Sequence, residues 1–446
     1  MKRILIILIA VWAVFAVNSC RASVNGDNAP VTNVIHPEWT EDAVIYEVNV
    51  RQFTPEGTFK AFSEHLPRLA DLGVDILWFM PIHPIGEVER KGSLGSYYSV
   101  RDYKAVSPEF GDAEDFRKVV DDAHRLGMKV IIDWVANHSS RDHEWIETHP
   151  DWYVMDSTGT PVAPFDWTDV AKLDYSNAEM REAMKDALKF WVTEFGIDGF
   201  RCDVAHEVPV DFWNDAMKEL RGIREDLFFL AEAEKPELMT DAFDAYYGWE
   251  NHAYMNKLAQ GKAGVEEYVA YLKEHACRFP SASIQMNFTS NHDENSWSGT
   301  EFDRMGDAVR QFAALTFVLP GMPLIYNGQE MGSRKSLEFF ERDPIVWEDT
   351  DNFTDFYKGL IKMRDGHPSM YAPRAGAPMQ VLSNSEPEKV LAFQRMYADG
   401  ISEDGFTAVF NFSSEEITVT LAEGILKGSS YTLPAHGYEI IFDMNK

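Results

Sequence analysis

The run Leu126-Gly127-Met128-Lys129-Val130-Ile131-Ile132 decides the fold, because its pattern comes three times. Leu72-Gly73-Val74-Asp75 leads into Ile76-Leu77-Trp78-Phe79, and Phe195-Gly196-Ile197-Asp198 leads into Gly199-Phe200-Arg201. In each, a helix ends at a glycine able to take the left-handed C′ conformation, and a buried strand follows. The residues ahead of two of these glycines have helical spacing: Phe59, Phe62, Leu66 and Leu69 share one face, as do Met180, Met184, Leu188, Trp191 and Phe195. Further apolar strand candidates cover 43–50, 227–231, 284–288 and 323–326. Near-continuous apolar strands alternating with amphipathic helices indicate a parallel sheet covered on both faces. About eight such alternations fit between residues 42 and 367, which favours a closed (β/α)8 barrel over an open doubly wound sheet.

Outward from that unit, the chain divides by composition. Its 446 residues suit a large barrel plus a minor domain, and 45% apolar with 13% aromatic residues supply a sizeable core. The barrel is expected over 42–370. A long insertion, 139–174, follows the third strand and carries Trp145, Trp152, Tyr153 and Trp167. Loops of that length inside a compact domain are usually functional. After about residue 370 the helical pattern stops. Short runs at 390–395, 407–412, 417–421 and 437–442 read as antiparallel strands, so a β-sandwich is expected over 371–446.

The first twenty residues differ in kind. Lys2 and Arg3 precede an apolar run from Ile4 to Val17, then Asn18, Ser19 and Cys20, which describes a signal peptide. Cys20 at the expected cut resembles a bacterial lipobox cysteine, acylated at the mature N-terminus; plain secretion is the alternative. Either way the protein is expected to be exported, touching a membrane only through that lipid, with 21–41 as a tether. The formal charge is −31, from 72 acidic and 41 basic residues, which repels phosphate backbones and argues against nucleic-acid binding. A neutral polymer is not disfavoured. Cys202 and Cys277 have no framework spacing and are expected as thiols.

The C-terminal ends of parallel barrel strands share one mouth, and here they are dense in polar groups. The third strand ends in Asp133-Trp134-Val135-Ala136-Asn137-His138. The fourth ends in Arg201-Cys202-Asp203, the fifth in Ala231-Glu232, and the seventh runs into Asn291-His292-Asp293. Any one of these fits an ordinary helix cap or a surface acid. Four at corresponding positions do not. Glycosidic cleavage uses a carboxylic acid to protonate the leaving oxygen, a carboxylate on the opposite side of the anomeric carbon, and negative charge to stabilise an oxocarbenium-like transition state. Arg201 lies two residues from Asp203 on the same strand face, so its guanidinium is expected to hold that carboxylate ionised.

Together these motifs resemble glycoside hydrolase family 13, the α-amylase family. The resemblance rests on Asp133-x-x-x-Asn137-His138, Gly199-Phe200-Arg201-x-Asp203, Glu232 and Asn291-His292-Asp293, supported by the runs 97–103 and 321–330. It implies a retaining α-glucan hydrolase with Asp203 as nucleophile, Glu232 as general acid/base and Asp293 as the third acid. His138 and His292 resemble hydroxyl-binding histidines, and Tyr98 the aromatic platform beneath the cleaved sugar, with Tyr97 as alternative. Arg201 binds at the same site and Asp133 orients it. Glu234 rivals Glu232 on the same strand face; Glu232 is preferred because it ends the apolar run directly.

The segment Asp203-Val204-Ala205-His206-Glu207-Val208, with Lys172-Leu173-Asp174-Tyr175, is more like neopullulanases and cyclomaltodextrinases than other family members. Starch, maltodextrin, cyclodextrin and pullulan therefore stand as candidate substrates, and transglycosylation as the nearest rival reaction. A non-catalytic glucan-binding lipoprotein is the rival of another class; such proteins lose catalytic acids, which are all present here. No cofactor is required by this chemistry. The resemblance also makes Asn137 a candidate calcium ligand, while Glu207 occupies the position of another usual ligand.

Overall fold

Eight parallel strands close on themselves in the computed structural model, which describes residues 31–397 and 404–442. The expected signal peptide and Cys20 lie outside the described residues. The strands are β1 (Ile45–Val48), β2 (Ile76–Phe79), β3 (Lys129–Trp134), β4 (Gly199–Cys202), β5 (Phe228–Ala231), β6 (Ala245–Tyr247), β7 (Ile284–Asn287) and β8 (Met322–Tyr326). Around the barrel their order is β1-β8-β7-β6-β5-β4-β3-β2.

Each strand is buried on both faces, which is why its sequence is apolar without alternation. In β2, Ile76 and Trp78 join the interior cluster with Ile45, Ile131, Leu230 and Met286. Leu77 and Phe79 face outward into the shell of helices. Burying each such side chain contributes about 1.5–3 kcal/mol. Gly73, Gly127 and Gly196, which end the helices ahead of β2, β3 and β4, take φ of 99°, 86° and 67°, left-handed values a side chain would strain.

Three local features depart from the sequence reading. The helix expected over Phe59–Leu69 is two pieces, Phe59–Ser63 and Leu66–Leu72. Pro67 stands in the first turn of the second; in a continuous helix its ring would clash with the Ser63 carbonyl. The helix Ala178–Phe190 widens into a π turn over Trp191–Phe195, where Trp191 Nε1 donates to the Tyr103 carbonyl at 2.7 Å. Finally, residues 32–40 do not hang free as a tether: Thr32 Oγ1 donates to the Met239 carbonyl at 2.7 Å, and His36 Nδ1 meets Asp244 Oδ1 at 2.8 Å.

Within the insertion, an antiparallel ribbon pairs His138–Ser140 with Val170–Lys172, and a short helix covers Glu144–Thr148. At the C-terminus, strands β9 (Met379–Val381), β10 (Val390–Met396), β11 (Gly405–Asn411) and β14 (Tyr438–Ile441) form one antiparallel sheet. Strands β12 (Ile417–Thr420) and β13 (Ser430–Leu433) form the other. Val390, Ala392, Val409, Val419, Leu421 and Leu433 fill the space between them, making a β-sandwich.

Candidate active site

The mouth of the barrel is organised around one guanidinium. Arg201, in the middle of β4, is 1% exposed and turned inward. Its Nη1 donates to Asp133 Oδ1 at 2.7 Å and to Asp203 Oδ1 at 3.0 Å, and its Nη2 lies 2.8 Å from Glu232 Oε2. Nε donates to the Tyr247 hydroxyl at 3.1 Å. Strand pairing puts these groups at one level: Asp133 is opposite Arg201 across β3 and β4, and Cys202 is opposite Ala231 across β4 and β5. Asp203 and Glu232 therefore leave neighbouring strands side by side. Asp203 Oδ2 is buried with no hydrogen-bond partner, and the residue borders the depression.

The residue after Asp203 is strained. Val204 has φ 35° and ψ 47°, left-handed values that a β-branched side chain rarely takes. That turn aims its N–H at Glu232 Oε2, 2.8 Å away. Glu234 goes elsewhere. Its Oε2 accepts the Glu250 N–H at 2.9 Å, at the start of helix Trp249–Ala259, and His275 Nε2 lies 3.3 Å from its Oε1.

On the opposite side stand Tyr98, His292 and Asp293. The Tyr98 hydroxyl donates to Asp133 Oδ2 at 3.0 Å and meets His292 Nε2 at 2.8 Å, with the two rings stacked at 5.4 Å. Tyr97 turns into the core, where its hydroxyl donates to Asn49 Oδ1 and Arg51 covers its ring. His292 opens helix His292–Trp297, and its Nδ1 contacts Glu47 Oε1 on β1 at 2.5 Å. Asp293 Oδ2 lies 3.3 Å from His292 Nε2, and its side chain is 37% exposed towards the opening. His138 begins the insertion ribbon with the Asn137 amide 3.2 Å from its Nδ1.

Charge balance distinguishes the members of this cluster. Glu47, Asp133, Asp203, Glu232 and Asp293 gather about Arg201 and His292, so carboxyls outnumber cations. Burial pushes the Asp203 carboxyl well above the usual range, the Glu232 charge adds to this, and Arg201 opposes it. That reverses the sequence expectation: the guanidinium is shared among three carboxylates and does not by itself hold Asp203 ionised. Burial alone would lower His292, but Asp293 and Glu47 outweigh it and raise the imidazole to about 9. Burial, with the Lys172 charge, drops His138 to about 3 and keeps it neutral.

Above the acids lies a depression of about 540 Å³ lined by Tyr98, His138, Trp167, Asp203, Glu232, His292, Asp293, Trp297 and Phe339. Trp297 is 61% exposed and packs at a tilt against Phe339, ring centres 5.4 Å apart, giving the rim an aromatic face. Sequence reasoning missed Glu47, Tyr247, Trp297 and Phe339. Glu47 had a signal, being a lone acid inside the apolar run Ile45-Tyr46-Glu47-Val48.

A calcium ion needs six to eight oxygen ligands. The Asn137 amide nitrogen lies 3.2 Å from His138 Nδ1, and the Lys172 ammonium donates to Glu207 Oε2 at 3.2 Å. Among the described residues no three His, Cys, Asp or Glu side chains cluster as a metal site.

An eight-stranded parallel barrel thus carries at its mouth three acids about a shared arginine, a stacked tyrosine and two histidines. The family model for "Alpha amylase, catalytic domain" matches residues 22–170 and 151–368. The chain belongs to that family, glycoside hydrolase family 13. It is 29% identical over 405 residues to alpha-amylase MalA of Haloarcula japonica, covering 87% of this chain and 58% of the relative. Neopullulanase 2 of Thermoactinomyces vulgaris is 29% identical over 385 residues, covering 74% and 63%. The chain thus spans about three-fifths of the length of these curated relatives. A crystal structure of an alpha-amylase from Lactobacillus plantarum superposes with a TM-score of 0.80 at 31% identity, covering 90% of this chain and 98% of that one.

Proposed function

We propose that this protein is a retaining α-glucan hydrolase, cleaving α-glucosidic bonds of starch, maltodextrin or related oligosaccharides by double displacement. The observation that carries the reading is the pairing of Asp203 and Glu232 on the two Nη atoms of Arg201, at the ends of adjacent strands. Retaining hydrolysis uses carboxyls about 5–5.5 Å apart, and neighbouring parallel strands about 4.8 Å apart favour that spacing. Inversion requires about 6.5–9.5 Å, with room for a water between the acids.

In this reading Glu232 protonates the glycosidic oxygen while Asp203 Oδ2 attacks the anomeric carbon, forming a β-linked glycosyl-enzyme and releasing the leaving chain. Glu232 then takes a proton from water, which displaces Asp203 and yields an α-product. Asp293 and the His292 imidazolium face the sugar hydroxyls, and Tyr98 offers its ring beneath them. Proton NMR of the first-formed sugar should show the α-anomer before mutarotation. A β-anomer first would overturn the assignment of Asp203 and the double displacement with it. A profile on amylose, pullulan and β-cyclodextrin at high oligosaccharide concentration separates hydrolysis from transglycosylation.

Two further parts of the reading concern the chain's setting. The Lys172–Glu207 pair supports activity without calcium. The basic start, apolar run and Cys20 support export and lipid attachment to a bacterial membrane. Cys20→Ser should release soluble enzyme, and unchanged membrane fractionation would sink that assignment.

A further inference from the structure

One side of the depression is walled. Lys91 and Ser96, from the loop that follows β2, stand along it, and that loop is tied at both ends. Towards the loop after β8, the Leu94 N–H donates to the Phe340 carbonyl at 3.1 Å, the Ser93 N–H to Glu341 Oε1 at 2.8 Å, and the Ser93 hydroxyl bonds the same carboxylate. Gly92 has φ 61° and lies so close to Phe340 that a Cβ there would collide with it. Towards the insertion, Lys91 Nζ pairs with Asp169 Oδ1 at 3.1 Å, and Ser99 Oγ donates to the Asp169 carbonyl at 3.1 Å.

Arg51 locks the two loops together from beneath. Fully buried, it donates through Nη1 to the carbonyls of Gly95 at 3.0 Å and Phe339 at 3.2 Å, through Nη2 to Leu94 at 3.3 Å, and it holds Glu109 at 2.7 and 2.9 Å. Lys91, Asp169, Phe339 and Phe340 all line the depression. The wall is therefore a braced, charge-paired structure and not a free loop.

Its position fixes which half of a glucan meets it. The acid that protonates the leaving oxygen must stand beside the leaving chain, so that chain, the reducing half, departs on the β5 side with Glu232. In the strand order β1 stands opposite β5, and the loops after β2 and β8 straddle β1. The half that remains on Asp203, which carries the non-reducing end, points at the wall.

We infer that this wall closes the donor end of the site. The protein then acts on linear α-glucans from a free non-reducing end and releases a short product of fixed length, with the Lys91–Asp169 bridge as the specificity-determining stop. This rests on the hydrolase reading above and deepens it. An open cleft accepts a chain threading past both sides; a blind one accepts only a chain that ends inside it.

The test uses the whole enzyme with two p-nitrophenyl maltoheptaosides, one free and one carrying a 4,6-ethylidene group on the non-reducing glucose. The free substrate should yield one short saccharide from its non-reducing end, and the blocked one should turn over at least about twentyfold more slowly. In Lys91→Ala the stop is shortened, and the blocked-to-free ratio should recover at least about fivefold. Equal rates for the two substrates in the unaltered enzyme would overturn the blind site. An unchanged ratio in Lys91→Ala, with folding verified by its thermal transition, would overturn the role of Lys91. If neither substrate is cut, the hydrolase reading itself fails, an outcome distinct from both.

Discussion

Glu47→Gln should lower the titration of His292 and move the alkaline limb of activity with it. The Gln side chain keeps the size and an oxygen acceptor for Nδ1–H but removes one of two carboxylates that hold the imidazolium. His292 stands at about 9 against an ordinary 6.5, and a unit is 1.36 kcal/mol, so its protonation is worth about 3 kcal/mol to the folded state. Part of this is returned, because burial also raises the Glu47 carboxyl. Since the folded value lies above the unfolded one, the contribution is complete below about pH 6.5 and is lost as pH rises through about 9. Removing one opposite charge in contact shifts a titration by roughly one to three units, so the variant's imidazole should titrate at least about one unit lower. The assay is the 13Cε1 resonance of His292 in histidine-labelled protein, assigned with His292→Gln, followed from pH 5 to 10 alongside kcat/KM. A His292 that still titrates near 9 in Glu47→Gln would refute the electrostatic account. An alkaline limb unmoved while the resonance shifts would show that the charge of His292 is not what that limb reports.

Asp203→Asn and Glu232→Gln should each cost several orders of magnitude in kcat with the fold retained, whereas Glu234→Gln should remain active; a dead Glu234→Gln beside an active Glu232→Gln would reverse the assignment. EDTA should leave both activity and Tm unchanged, and added calcium should not raise Tm, because Lys172 already neutralises Glu207; a calcium-dependent Tm rise overturns this. Burial raises Asp75 to about 7 although Val44 N–H binds its carboxylate, so the group carries a penalty that grows as pH rises from about 4 to about 7. Asp75→Asn should therefore raise Tm at pH 8 and not at pH 4, and equal changes at both would reject the desolvation argument.

Much of the site was legible because its members stand at strand ends, where the sequence announces them: a run of apolar residues stops and an acid follows. Asp133, Asp203 and Glu232 are of this kind. Glu47 and Tyr247 were harder, since both sit within strands and act on the site from below, through His292 and Arg201. Strand β6 is only Ala245–Tyr247, with no glycine-ended helix ahead of it, too short for periodicity to register. The choices between Tyr97 and Tyr98, and between Glu232 and Glu234, are matters of side-chain direction at loop and strand ends, which spacing alone does not specify. The wall over the donor end was not legible at all. It depends on Arg51, Lys91, Glu341 and Asp169, residues scattered over the sequence and ordinary in their local context.

The way Arg201 is shared also bears on how such a site can decay. With carboxyls in excess about two cations, losing Asp203 or Glu232 relieves repulsion and leaves Arg201 still paired with Asp133. Losing Arg201 instead strands the carboxylates gathered on it, and a buried charge left without its partner commonly costs about 3–5 kcal/mol, a large part of a domain's margin. A descendant that no longer needs the chemistry should therefore shed Asp203 or Glu232 before Arg201. A pseudo-enzyme on this scaffold should be recognised by missing acids about a retained arginine.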